Sequence, residues 1–201
     1  MTWRDKTLVE LVEALPAELN VPVRDAIELL LERYAQRTAG EKGIGPSSGA
    51  PVTLREVTAD TVRAVCRLSD TLVPPKRFMV APNSVSLAQA LFEPKAWYRA
   101  IYADETLVGF VMLYDDPDEP EYYLWRFMIA TPHQGKGFGR QTIERMIEYV
   151  ETRPGAVELL VSCGEGPGNP EGFYTGMGFR RTGKMSGDEV ELVLPLPYRR
   201  P

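Results

Sequence analysis

The sequence predicts an α/β domain, a mixed sheet with helices on both faces, preceded by a short helical N-terminal extension. Two observations carry this. From residue 52 to residue 194, β-rich runs and amphipathic stripes follow one another in the order β-α-α-β-β-β-α-β-α-β-β. Within that order the glycine loop Gln134-Gly135-Lys136-Gly137-Phe138-Gly139 lies where an aromatic strand turns into a helix.

Taken in order, the first 40 residues carry two apolar stripes. Leu8, Leu11, Val12 and Leu15 form one, ended by Pro16. Val23, Ile27, Leu30, Leu31 and Tyr34 form the other, with Pro22 placed for a first helical position and Gly40 for a C-terminal cap. Helices this short are marginal alone. Their apolar faces must rest on each other, on the following domain or on a second subunit, and a homodimer is expected. Residues 41–50, rich in Gly, Ser and Pro, read as a flexible linker, which leaves 51–201 as the main domain.

Strand signals begin at 52–57, and Thr58 or Asp60 caps a helix running to Asp70. Asn83 or Ser84 caps a second helix carrying Leu87, Ala90 and Leu91. Residues 97–103 and 107–114 are β-rich runs joined at Asp104-Glu105-Thr106. The acidic stretch 115–120, with two prolines, reads as a solvated hairpin loop. Strand 121–130 then leads through the glycine loop to a helix over 142–152, where Ile143, Met146, Ile147 and Val150 recur at helical spacing. A strand at 156–161, a short helix at 171–176 and strands at 178–182 and 189–194 complete the order.

Composition narrows the function. At 44% hydrophobic and 25% charged, with a net charge of −5, the chain reads as ordinary globular and lacks the basic face of a nucleic-acid binder. No apolar run approaches the ~18 residues that span a bilayer, and the start does not resemble a signal peptide. Cys66 and Cys163 stand far apart in no metal-ligand spacing, which suits two free thiols. A cytoplasmic protein with no metal, nucleic acid or membrane partner is expected.

The glycine loop points to an anion. Glycine tolerates positive φ and admits a ligand close to the backbone. The first turn of a helix offers free N–H groups and partial positive charge, so the junction suits phosphate oxygens. The loop has no Gly-Lys-Ser/Thr ending and no Gly-x-Gly-x-x-Gly. It does fit Gln/Arg-x-x-Gly-x-Gly/Ala through Gln134, Gly137 and Gly139. A second run, Asn169-Pro170-Glu171-Gly172-Phe173-Tyr174-Thr175-Gly176-Met177-Gly178-Phe179, follows Asn-x₃₋₅-Tyr-x-x-x-Gly-Phe.

On these motifs and on the element order, residues 52–194 resemble the N-acetyltransferase superfamily known as GNAT. The resemblance implies a GNAT-type mixed, mostly antiparallel sheet with acetyl-CoA as cosubstrate. It implies that Phe127, Met128 and Ile129 meet the pantetheine arm through their backbone. Gln134, Gly135, Lys136, Gly137, Phe138, Gly139 and Arg140 would surround the pyrophosphate. Asn169 would bond the pantetheine arm, and Tyr174 would set its hydroxyl near the CoA sulfur as general acid. His133, the lone histidine, falls nearer the phosphates than the amine. Of the acidic residues Glu121, Asp188, Glu189 and Glu191, any could take the amine's proton, and Glu121, which begins the central strand, is the catalytic candidate.

Within the superfamily the chain most resembles bacterial diamine and polyamine (spermidine and spermine) acetyltransferases, through residues 78–87, 123–129 and 134–139. Gln89 departs from them where an acidic residue is expected. The implied activity is direct transfer of acetyl from acetyl-CoA to a primary amine, a small-molecule di- or polyamine, in a ternary complex. Protein N-terminal, antibiotic and amino-acid amines are alternatives, as is a non-catalytic acyl-CoA-binding module. Deleting residues 1–45 is expected to leave acetyl-CoA binding intact while changing assembly or solubility, measured by light scattering beside CoA titration. Loss of CoA binding on truncation would make the extension part of the catalytic fold.

Overall fold

The chain divides at Gly45/Pro46 into two units. The computed structural model describes residues 45–198. The helical stripes expected within residues 1–40, and the linker up to residue 44, lie outside the described residues. From Pro46 to Ala50 the stretch read as linker is instead pinned to the start of a helix. Gly49 N donates to Lys136 O at 3.0 Å, and Gln141 Nε2 donates to Ala50 O at 3.0 Å.

Seven strands form one sheet: β1 (Val52–Arg55), β2 (Ala96–Ala103), β3 (Thr106–Asp116), β4 (Glu121–Ile129), β5 (Glu158–Cys163), β6 (Arg180–Ser186) and β7 (Glu189–Pro195). Their spatial order is β1-β2-β3-β4-β5-β7-β6. Every pairing is antiparallel except β4 with β5. Among the described residues four α-helices accompany them: α1 (Val62–Leu68), α2 (Asn83–Ala90), α3 (Phe138–Glu151) and α4 (Glu171–Thr175). This is the mixed, mostly antiparallel architecture expected from the sequence.

The two faces of the sheet carry different cores. On one, α3 lays Phe138, Ile143, Met146, Ile147 and Val150 against Tyr122 and Leu124 of β4, Leu159 and Val161 of β5, and Leu192 and Leu194 of β7. A lone helix of this length is marginal. Roughly 1.5–3 kcal/mol for each such buried side chain holds it in place. On the other face, Val65 and Leu68 of α1 cover Ala100, Phe110, Met112 and Met128, with Leu87 and Ala90 of α2 at the margin. That second layer stops at β4. Tyr123, Ser162 and Glu189, whose hydroxyls and carboxylate join on this face, are therefore left half-buried.

Three local expectations change. Asp115 and Asp116 do not form a solvated loop: they end β3 and are buried. Asp115 accepts from Tyr149 Oη at 2.6 Å and from Arg153 Nε at 2.9 Å, tying the end of α3 to the sheet. Burial, with the Asp115 charge beside it, pushes the Tyr149 phenol up to about 12. Asn83 does not cap α2 but begins it, and its Nδ2 donates to Val65 O at 2.8 Å, joining α2 to α1. Finally, α3 starts at Phe138 rather than Thr142, because Gly137 takes φ +86° and turns the loop directly into the helix.

Asp115→Ala strips the acceptor from two charge-assisted bonds in a buried site, at an expected cost of about 2–4 kcal/mol. For a domain of this size that is roughly 4–16 °C in Tm, measurable by calorimetry. A shift under a degree would mean that Arg153 and Tyr149 are satisfied by water instead.

Candidate active site

β4 and β5 pair only at Tyr123↔Leu160 and Leu124↔Val161. Beyond them the strands part. The cause lies on the opposite edge of β4: Met112 of β3 faces Arg126 while Leu113 faces Leu124, so Trp125 is an extra residue in the ladder. A bulge of this kind bends its strand and ends regular pairing. A cleft of about 820 Å³ opens there. Trp125–Ile129 form one side, Ser162 and Cys163 the other, and the glycine loop closes one end.

The loop is built to face a ligand. Gly135 and Gly137 have φ of +74° and +86°, and a Cβ added at either would meet nothing within 4 Å. These positions therefore need glycine for conformation, and open space lies in front of them. Gly139 is tighter, since its Cβ would sit 3.5 Å from the Phe173 ring and 3.7 Å from Phe127. The Gln134 amide donates to Ile129 O at 2.8 Å and accepts from Lys76 Nζ at 2.7 Å. It thus joins the free end of β4 to the segment before α2. That segment also meets the far wall, since a Cβ on Gly168 would lie 2.7 Å from Pro75.

Tyr174 is buried in the wall of the cleft, edge-on to Phe173 at 5.4 Å between centroids and 5.6 Å from Phe179. Burial above all, with the Glu189 carboxylate nearby adding to it, pushes its phenol well above the usual range. The hydroxyl therefore stays protonated, a donor and not a base, at any pH where the protein works. Burial also pushes the Cys163 thiol up, so it is an inert lining group.

A hydrogen-bonded chain runs beside it. The Ser162 hydroxyl donates to Glu189 Oε2, and Tyr123 Oη meets Ser162 Oγ. Because the serine's single proton goes to Glu189, Tyr123 is the donor in the second bond. Arg126 sits in the β4 wall, with Nη1 donating to Trp125 O at 2.8 Å and Nη2 to Gln89 Oε1 at 3.2 Å. Burial lowers its pKa, and the Glu189 charge partly offsets this.

Phe127, Met128, Ile129, Gln134, Gly135, Gly137, Gly139, Arg140, Asn169 and Tyr174 all line this one cleft. Lys136 and Phe138 do not. Lys136 turns away, its Nζ donating to Pro46 O at 3.4 Å, and Phe138 fills the core under α3. Glu121 is also elsewhere. It is exposed at the start of β4, four residues before the bulge, or about 13 Å along an extended strand. The carboxylate inside the cleft is Glu189. Sequence reasoning missed Ser162, Lys76 and the bulge; alternation about the strand pair 160–162 could have put Ser162 on the open face. A separate groove of about 560 Å³ beside Trp97 contains Lys95 and Arg153, both already paired with aspartates. Among the described residues, no group of three or more His, Cys, Asp or Glu is placed to hold a metal, and no helix is long and apolar enough to cross a membrane.

A bulged strand parting from its parallel neighbour, above a glycine loop on a helix N-terminus, defines an acyltransferase-type α/β domain. The Acetyltransferase (GNAT) family model matches residues 67–179, more than half the sequence, and the chain belongs to that family of acetyl-CoA-dependent N-acetyltransferases. No curated protein sequence matches it significantly. Among solved structures it is similar to the ribosomal-protein-S18-alanine N-acetyltransferase from Escherichia coli, at TM-score 0.57 and 16% identity over 74% of this chain and 96% of that one. It is similar to the spermidine N-acetyltransferase from Vibrio cholerae in complex with CoA and spermine, at TM-score 0.53 and 20% identity over 72% and 95%. A GNAT family acetyltransferase from Elizabethkingia anophelis with acetyl-CoA bound gives TM-score 0.54 and 18% identity over 72% and 98%. At these identities the likeness is one of fold.

Proposed function

We propose that this chain acetylates a primary amine by direct attack on acetyl-CoA within the cleft. The observation that carries the proposal is the parted β4–β5 edge ending on the glycine loop. Acetyl-CoA supplies an activated acetyl group. Its pantetheine arm suits the backbone edge of Phe127, Met128 and Ile129 that β5 no longer covers, with Asn169 across from it. Its pyrophosphate suits Gly135, Gly137, Gly139 and the first turn of α3, with Arg140 and Lys76 nearby as cations. The amine nitrogen attacks the thioester carbon and a new C–N bond forms as the C–S bond breaks. The nitrogen's proton passes to Glu189 through Ser162, and the departing sulfur is met by the Tyr174 hydroxyl. A thiol titrates at about 8.5, below this phenol, so Tyr174 acts first as a hydrogen-bond donor that strengthens as charge builds on sulfur.

A second reading makes the acceptor a di- or polyamine. Glu189 favours it, as a carboxylate able to draw an ammonium, and so does the sequence likeness. Gln89 and the cation Arg126 in the same cleft oppose it. A homodimer built through residues 1–40 is likewise a proposal.

Acetyl-CoA at ~100 times its Kd should add about 2.7 kcal/mol of stability. In Gly137→Glu the shift should vanish, because the side chain must adopt φ +86° and puts a carboxylate into the open space before the loop. A normal shift in a folded variant would remove the loop from CoA binding. Tyr174→Phe should lower kcat by ~10²–10⁴-fold with little change in CoA affinity, read by thiol release. Near-normal turnover would mean that water serves the sulfur.

A further inference from the structure

Resting on the acetyltransferase reading, we propose that the acceptor is an amine carrying a carboxylate, with Arg126 receiving the carboxylate and Glu189 the ammonium. Four described arginines are neither buried nor fully exposed: Arg55, Arg99, Arg126 and Arg153. Three meet a carboxylate, Arg55 with Glu105 at 2.8 Å, Arg99 with Glu56 at 3.9 Å and Arg153 with Asp115 at 2.9 Å. Arg126 meets none within 4 Å among the described residues, although burial weakens its hydration. Among the described residues its two hydrogen-bond acceptors are neutral oxygens, its guanidinium lies 5.3 Å from the centre of the Trp125 ring, and its buried Nε has no acceptor. A guanidinium keeps its charge under such conditions and seeks a planar anion.

Glu189 is the complementary case. It lines the same cleft, accepts from the neutral Ser162 hydroxyl and has no cation in salt-bridge range among the described residues. The two charges sense each other without pairing. One cation and one anion, each holding only neutral partners, match a zwitterion better than a polycation, whose second ammonium Arg126 would repel. Gln89 fits the same logic: an acidic residue there would neutralise Arg126, whereas the amide holds it and leaves its charge for the substrate.

The test compares γ-aminobutyrate, butylamine and 1,4-diaminobutane, which share a four-carbon chain, with glycine, β-alanine, spermidine and O-phosphoethanolamine beside them. Thiol release and product mass are recorded. A carboxylated amine should exceed its plain counterpart by about ten- to hundredfold in kcat/KM, the effect of one charged hydrogen-bonded pair. In Arg126→Gln the ratio between the two should collapse to within a few-fold, and Arg126→Lys, which keeps charge without the planar fork, should recover part of it. Preference for spermidine or the diamine overturns the proposal, as does preference for the phosphorylated amine. An unchanged ratio in Arg126→Gln also overturns it and leaves the residue only its bond to α2. If acetyl-CoA raises Tm but no amine releases thiol, the acetyltransferase reading fails together with this one. Turnover of amines without a carboxylate preference sinks this one alone.

Discussion

The extra residue at Trp125 is the constraint on which the rest of the site depends. Parallel strands want continuous pairing, and β4 and β5 begin it at Tyr123 and Leu124. The bulge bends β4 away after two pairs, leaving backbone groups of the following residues without a ladder partner on the β5 side. Such an edge is costly in a closed core and tolerable only where solvent or a ligand can reach it. One residue inserted against β3 thus makes a cleft between β4 and β5, and the Gln134 amide already occupies the Ile129 carbonyl at its end.

The two helical layers convert that cleft into an asymmetric site. The α3 layer is continuous under β4, β5 and β7, and Phe138 at the end of the glycine loop and Tyr174 both pack into it. The α1–α2 layer ends at β4, so polar groups on the open face of β4, β5 and β7 can be half-buried without being sealed. Charge follows this division. Arg140 and Lys76 lie at the loop end, and Glu189 and Arg126 line the same cleft with polar partners on the open face. The buried Tyr174, kept protonated by its surroundings, stands within electrostatic reach of Glu189 and Tyr123.

Most of the architecture was legible in the residues, because hydrophobic period and glycine placement are local signals. The stripe Ile143, Met146, Ile147, Val150 does form the buried face of α3, and the glycine pair does lie at its start. Motif resemblance also brought Gln134, Asn169 and Tyr174 to one cleft. Local composition misled at Asp115–Asp116, where acidity suggested solvent but residues distant in sequence supply the partners, Tyr149 and Arg153 for Asp115 and Lys95 for Asp116. Lys136 and Phe138 were placed by adjacency to the glycines, yet neighbouring side chains in a turn point in different directions.

What the sequence determined by itself is the order of elements, the glycine loop on a helix N-terminus and the family, since each rests on spacing along the chain. What only the tertiary structure decided is which carboxylate enters the cleft. Glu121 and Glu189 are the same residue type and both begin strands. Glu121 lies before the bulge, on the paired and exposed end of β4. Glu189 reaches the open face beside Ser162, because β7 runs antiparallel to β5 and its first residue arrives where β5 has left β4. The register between strands more than twenty residues apart makes that choice, and no local pattern encodes it.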